Sequence, residues 1–133
     1  MLFIKKKITI PSSVTSICSY AFFGCDSLTD VIFETPSSLT SIQSNAFLCC
    51  TSLKQISIPS SITYIDDQVF SQCTSLENVI IPFSVTSMTG SFSYCTSLKQ
   101  ITIPSSVTSI GKGTFFECSS LTRITIPSSV KKN

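Results

Sequence analysis

The 133 residues contain no histidine and no tryptophan, and charge is scarce. Without histidine no Ser-His-Asp or Cys-His pair can form, and the usual proton shuttle near neutral pH is missing. Only 12% of the residues are charged, about half the share of a typical soluble domain. Nine basic against seven acidic residues leave a net charge of +2. That is too little for a phosphate-backbone binder, which carries a strongly basic face, so no nucleic-acid partner is expected. No apolar run approaches the roughly 18–20 residues needed to span a bilayer, so no membrane insertion is expected either. Met1-Leu2-Phe3-Ile4-Lys5-Lys6-Lys7 puts its apolar residues before its lysines, the reverse of a secretory signal. None of Asn45, Asn78 and Asn133 begins an Asn-x-Ser/Thr sequon. Seven cysteines, an odd number, leave at least one thiol free or paired between chains. Together these features favour a cytoplasmic, reducing setting, with a cell-surface or secreted fragment as the alternative. The length allows one ordinary domain, 1–133.

What the chain does have is a repeat. All six prolines share one register, Pro11, Pro36, Pro59, Pro82, Pro104 and Pro127, at separations of 25, 23, 23, 22 and 23 residues. Phenylalanine recurs at Phe22, Phe47, Phe70, Phe92 and Phe115, and cysteine three later at Cys25, Cys50, Cys73, Cys95 and Cys118. Leucine follows after three more, at Leu28, Leu53, Leu76, Leu98 and Leu121. Then come the pairs Val31/Phe33, Ile56/Ile58, Val79/Ile81, Ile101/Ile103 and Ile124/Ile126. A unit of this length cannot bury its own apolar face, whereas stacking equivalent units makes one continuous core.

Within a unit, Leu-x-x-Ile-x-Ile ends on two apolar residues at period two, which predicts a short strand with those side chains inward. Equivalent strands pair in parallel, about 4.8 Å apart, and the following proline, lacking a donor, ends each one. Val-Thr-Ser-Ile, as in Val107–Ile110, predicts a second, shorter strand on the opposite side. The spacing of Ala21–Cys25 predicts one helical or 3₁₀ turn. The expected fold class is therefore a β-rich α/β solenoid: a right-handed superhelix of about five coils of 22–25 residues, with parallel strands and short 3₁₀ or helical turns. Three irregularities stand out. Glu34-Thr35 is a two-residue insertion, expected to bulge at the surface. One residue is missing between Met88 and Phe92, which predicts a tighter turn. Phe83 stands where every other unit has serine.

The unit Ile103-Pro104-Ser105-Ser106-Val107-Thr108-Ser109-Ile110-Gly111, followed by Phe115, Cys118 and Ser120-Leu121, resembles the BspA-like leucine-rich repeat, also called the Treponema pallidum type. The resemblance covers residues 5–133. It departs from ordinary leucine-rich repeats, which carry an asparagine ladder where this chain has proline. It implies a leucine-rich-repeat superhelix that acts as a binding scaffold. The family is found in surface and secreted proteins of bacteria and protist parasites, often as adhesins. Both end units are incomplete: Lys5 replaces the expected leucine, and Asn133 stands where an isoleucine belongs. Lysines there either solvate open sheet edges or mark ends that stack on another copy, giving a homo-oligomer.

Candidate chemistry thins out on inspection. The cysteine register suits a buried, reduced ladder, because stacked parallel side chains point the same way and thiols pack as small hydrophobes. Disulfides and metal are the less favoured readings, and Cys18 and Cys49 are the expected exposed thiols. Ser109-x-x-Lys112 lacks the companion motifs of a penicillin-binding enzyme. Gly111-Lys112-Gly113-Thr114 lacks the first glycine of a phosphate loop. Asp66-Asp67 reads as a solvated turn. No enzyme activity and no cofactor are expected.

The binding residues are expected on the outward positions of the first strands, as a broad polar face recognising a protein. One row is Lys7, Asp30, Gln55, Asn78, Gln100 and Arg123; beside it run Thr9, Ile32, Ser57, Ile80, Thr102 and Thr125. A third row, Lys54-Glu77-Lys99, alternates in sign across neighbouring strands. The alternative is that these rows only keep the sheet soluble. Ile80 and Phe83 break the polarity, and two expectations compete for Phe83: it fills the space left by the missing residue, or it joins Ile80 as an exposed anchor of the kind that concentrates binding energy.

Overall fold

In the computed structural model the described residues are 6–131; Lys5 and Asn133, the two departures at the chain ends, lie outside them. Six strands make the first face: β1 (Lys7–Ile10), β3 (Asp30–Phe33), β5 (Gln55–Ser57), β7 (Asn78–Ile80), β9 (Gln100–Thr102) and β11 (Arg123–Thr125). Five two-residue strands make the second: β2 (Ser16–Ile17), β4 (Ser41–Ile42), β6 (Tyr64–Ile65), β8 (Ser87–Met88) and β10 (Ser109–Ile110). Every pairing is parallel and joins equivalent positions of successive coils, such as Ile56↔Val79 and Ile124↔Ile101. The period-two apolar residues face inward, as the alternation requires: Val31, Phe33, Ile56, Ile58, Ile101 and Ile103 are all buried.

Both faces have interrupted ladders, and on the first face the interruptions fall at the two coils of irregular length. On the first face the order is β1-β3-β5-β7 and then β9-β11; on the second it is β2-β4 and then β6-β8-β10. β7 and β9 lie side by side without a ladder, at the coil that is one residue short. Beside the Glu34-Thr35 insertion, β3 pairs with β5 only at Asp30↔Gln55, against three residue pairs between β5 and β7. On the first face pairing thus lapses where coils of unequal length meet; on the second, β2 pairs with β4 and β8 with β10 across those same coils, and the break falls between the regularly spaced β4 and β6.

The core is a set of columns running through the stack. The rings of Phe22, Phe47, Phe70, Phe92 and Phe115 are stacked face to face with centroids 5.0, 5.5, 5.6 and 5.9 Å apart. Phe47, Phe70 and Phe92 are wholly buried, as are Leu53, Leu76 and Leu98 in the next column. Such ring pairs add about 0.5–1.5 kcal/mol each beyond the area they bury.

The expected α/β character and the helical or 3₁₀ turns do not occur: the described residues contain no helix of any kind. The segment is instead a chain of β-turns whose amides alternate between two destinations. Ala21, Phe23 and Cys25 donate to Cys18, Tyr20 and Phe22 of their own coil, while Phe22 and Gly24 between them donate to Ala46 and Leu48 of the next coil. The same alternation holds Phe47 to Val69 and Cys49 to Ser71, and Phe92 to Thr114 and Tyr94 to Phe116. A left-handed residue recurs every fourth position, at Tyr20/Gly24, Asn45/Cys49, Gln68/Gln72, Gly90/Tyr94 and Gly113/Glu117, with φ between 55° and 76°. Positive φ at the third turn residue gives a type II turn and ends any helix. Half the amides thus serve the stack rather than a helix axis.

Hydroxyls tie the coils together where charge is scarce. Thr40, Thr86 and Thr108 each donate to the threonine carbonyl at the same position of the preceding coil. Ser106 and Ser129 donate in the same way to Val85 and Val107. At the shortened turn, Ser91 is buried and its Oγ reaches the carbonyls of Ile65, Asp66 and Thr89, replacing turn hydrogen bonds that a residue fewer cannot make.

Candidate functional site

The strands carry their outward side chains on one continuous face, and shallow cavities line up along it. The largest, about 580 Å³, lies over β3, β5 and β7. Lys7, Asp30, Gln55 and Asn78 line it from the first outward row, and Ile32, Ser57 and Ile80 from the second. Thr35 and Ser60 line it too, so one of the two inserted residues borders the cavity, at the step where β3 and β5 pair least. A second cavity of about 350 Å³ is lined by Glu77, Asn78, Lys99, Gln100, Thr122 and Arg123. A third, about 200 Å³, includes Gln100, Thr102 and Arg123. Asn78 borders the first two, and Gln100 and Arg123 the last two.

All members of the three outward rows except Thr9 and Lys54 are therefore brought together along this face. Lys54, exposed in the same row as Glu77 and Lys99, borders no cavity, and neither does Phe83. Within the face, Gln55 Nε2 donates to Asp30 Oδ1 at 3.4 Å, and Thr29 Oγ1 donates to Asp30 Oδ2 at 3.0 Å. Asp30 is thus pre-positioned by its neighbours. Thr35 and Ser60 line the first cavity but belong to none of these rows; Thr35 carried a signal in the sequence as part of the insertion.

Phe83 does not fill the space of the missing residue. It is 75% exposed, and Ile80 is 64% exposed. The reason is local: Phe83 occupies the serine position directly after the proline, whose counterparts Ser60 and Ser105 are exposed too. The shortening lies beyond Met88, where Gly90 and Ser91 absorb it.

The cysteine ladder is reduced, and all seven thiols are free. Its geometry gives the thiol a purpose beyond size. Cys50 Sγ donates to the Phe22 carbonyl at 3.1 Å, Cys73 to Phe47 at 3.3 Å, Cys95 to Phe70 at 3.2 Å and Cys118 to Phe92 at 3.1 Å. Each phenylalanine carbonyl that closes a turn in its own coil therefore receives a second, weak donor from the next. Burial, and then the neighbouring Cys25 thiol, push Cys50 up from its usual 9.0 to about 12. Burial likewise raises Cys73 and Cys95, with the adjacent ladder thiols adding to it. These groups are inert thiols, not nucleophiles. Cys18 is exposed and Cys49 half-buried.

Among the remaining candidates, Asp66 Oδ1 accepts the Asp67 amide at 2.8 Å, a local turn bond. Lys112 is exposed, with Ser109 half-buried on β10. Among the described residues no helix is long and apolar enough to cross a membrane.

A family model for the BspA type Leucine rich repeat region matches residues 4–91 and 88–133, in six copies. The chain belongs to the BspA-type leucine-rich repeat family. The leucine-rich repeat protein of T. pallidum has 33% identity to it and a TM-score of 0.86 over 92% of this chain and 59% of its own. A leucine-rich cell surface protein of Faecalibacterium prausnitzii has 34% identity and a TM-score of 0.63, over 90% of this chain and 38% of its own. The pneumococcal vaccine antigen PcpA has 26% identity and a TM-score of 0.83, over 97% of this chain and 32% of its own. The repeat thus spans less than two thirds of each of these structures. No curated protein matches it in sequence. The cytoplasmic setting expected from the thiols gains no support from these matches, one of which is described as a cell surface protein.

Proposed function

We propose that this chain is a non-catalytic protein-interaction scaffold that receives its partner on the first-strand face. The observation that carries the reading is the run of adjoining cavities there, with Ile32 and Ile80 exposed on an otherwise polar sheet. An interface of this kind needs an apolar anchor within a polar, hydrogen-bonding surround, and Ile80 beside Asn78, Gln55 and Gln100 supplies both. A parallel ladder holds Gln55 and Asn78 on adjacent strands about 4.8 Å apart, so this part of the face is ordered before a partner arrives. Phe83, three residues after Ile80, is a third exposed apolar group.

The second reading places the same face outside the cell, as an adhesin-like module that binds host or matrix protein. Its support is the described cell-surface location of the Faecalibacterium relative. Labelling of intact source cells with an antibody to the chain tests it; signal only after permeabilisation excludes it. End-to-end self-association is a separate reading, checked by light scattering across protein concentration.

The docking face itself is tested with Ser57→Trp and Thr102→Trp, which stand a large side chain on exposed strand positions. Thr51→Trp and Thr74→Trp, exposed on the turn side, serve as controls. Partner capture should fail with the first pair and persist with the second. The reverse pattern would reject the strand face.

A further inference from the structure

We infer that the segment this face receives is an extended acidic stretch of a protein, carrying one large apolar side chain; the inference rests on the reading of the strand face as the docking surface. The chain has little charge, but the charge is sorted. Among the described residues the strand face carries five cations, Lys6, Lys7, Lys54, Lys99 and Arg123, against three carboxylates, Asp30, Glu34 and Glu77, a net of +2. The other surfaces carry Asp26, Asp66, Asp67 and Glu117 against Lys112 and Lys131, a net of −2. A molecule that is nearly neutral in total therefore keeps its excess of cations on the strand face. Complementary potentials of this kind steer a partner and set its register more than they add raw affinity.

The arrangement within the face narrows the partner further. The largest cavity is balanced, with Lys7 against Asp30, and it holds the exposed apolar pair, Ile32 and Ile80. The adjoining cavity has Lys99 and Arg123 against Glu77. Asn78 joins the two, and its amide, with those of Gln55 and Gln100, can bond a peptide backbone without preference for its side chains. From β5, which lies between Ile32 and Ile80, to β9 is two strand steps, roughly 10 Å, which an extended chain covers in about three residues. An apolar side chain seated between Ile32 and Ile80 therefore puts a carboxylate some three residues away beside Lys99 and Arg123. The cation left unmatched in the adjoining cavity finds its complement in an acidic segment.

The test is selection from a phage-displayed random peptide library on the whole chain, followed by fluorescence anisotropy with the selected peptides. Peptides bearing Asp or Glu about three residues from Leu, Ile, Met or an aromatic residue are expected. Their affinity should fall about tenfold or more in Lys99→Glu, Arg123→Glu and Ile80→Ser, weaken with added salt, and hold in Lys112→Glu on the turn side. Neutral or basic peptides that lose binding to Ser57→Trp would overturn the acidic partner and leave the docking face standing. Peptides indifferent to both Ser57→Trp and Thr102→Trp, or a selection that yields no binder, would overturn both.

Discussion

Phe47 and Phe70 stack with ring centroids 5.5 Å apart and planes 13° from parallel, although 23 residues separate them in the chain. Each ring is the floor of one coil and the ceiling of the next, so neither packing surface exists without its neighbour. Phe70→Ala removes a wholly buried ring with partners on both sides and should cost roughly 3–5 kcal/mol. Phe115→Ala, at a half-buried ring with one stacked partner, should cost clearly less. Urea denaturation of the two variants checks the order; equal losses would mean the column does not hold the stack.

The thiol ladder predicts a pH effect of definite sign. In the folded chain Cys50 titrates near 12 rather than at the usual 9.0, and burial raises Cys73 and Cys95 as well. Between those values the unfolded chain has lost protons that the folded chain retains. Stability is therefore unaffected by these groups below about pH 9 and falls as pH rises toward 12. Denaturation midpoints measured across this range should drop, and should drop less in Cys50→Ala after correction for the variant's own stability.

Thiol accessibility gives an independent check on the same ladder. At mildly alkaline pH a thiol reagent should modify Cys18 quickly and Cys49 more slowly, leaving Cys73 and Cys95 intact until the chain unfolds. Peptide mapping by mass spectrometry reads this directly. Early labelling of Cys73 would show that the coils part readily.

Two glycines separate backbone strain from coil spacing. Gly24 has φ +68° with open space around it, so Gly24→Ala should cost about 1 kcal/mol from conformation alone. At Gly111 a Cβ would lie 2.8 Å from Thr89 Cγ2 and 3.0 Å from Thr89 Cα of the preceding coil. Gly111→Ala must push two coils apart and should cost about 1–3 kcal/mol, with Thr89→Ala recovering only part because the Thr89 backbone still stands in the way. Full recovery would place the whole clash on the methyl.

Ile80→Ser and Phe83→Ser remove exposed groups, so each should change folding stability by no more than about 0.5 kcal/mol. Thermal denaturation settles it. A large loss in Phe83→Ser would restore the packing role that its exposure argues against.

Much of this fold was legible in the repeat. The proline, phenylalanine, cysteine and leucine registers identified the columns, and the period-two pairs identified the first strands and their outward rows. The turn at Ala21–Cys25 was misread because apolar residues three apart suit a helical turn and a ladder of β-turns equally well. What separates them is the destination of the Phe22 and Gly24 amides, which lies in the next coil. The face was legible as rows, whereas the cavity bordered by Thr35 and Ser60 was not, because it forms where coils of unequal length meet.

Local pattern alone determined which side chains point inward, since alternation and spacing follow from strand geometry and need no knowledge of neighbours. Stacking decided the rest: the ladder of β-turns in place of a helix among the described residues, the exposure of Phe83 and the opening beside the inserted Thr35. These depend on how one coil meets the next, and the meeting of residues some two dozen apart is set by packing rather than by any local preference.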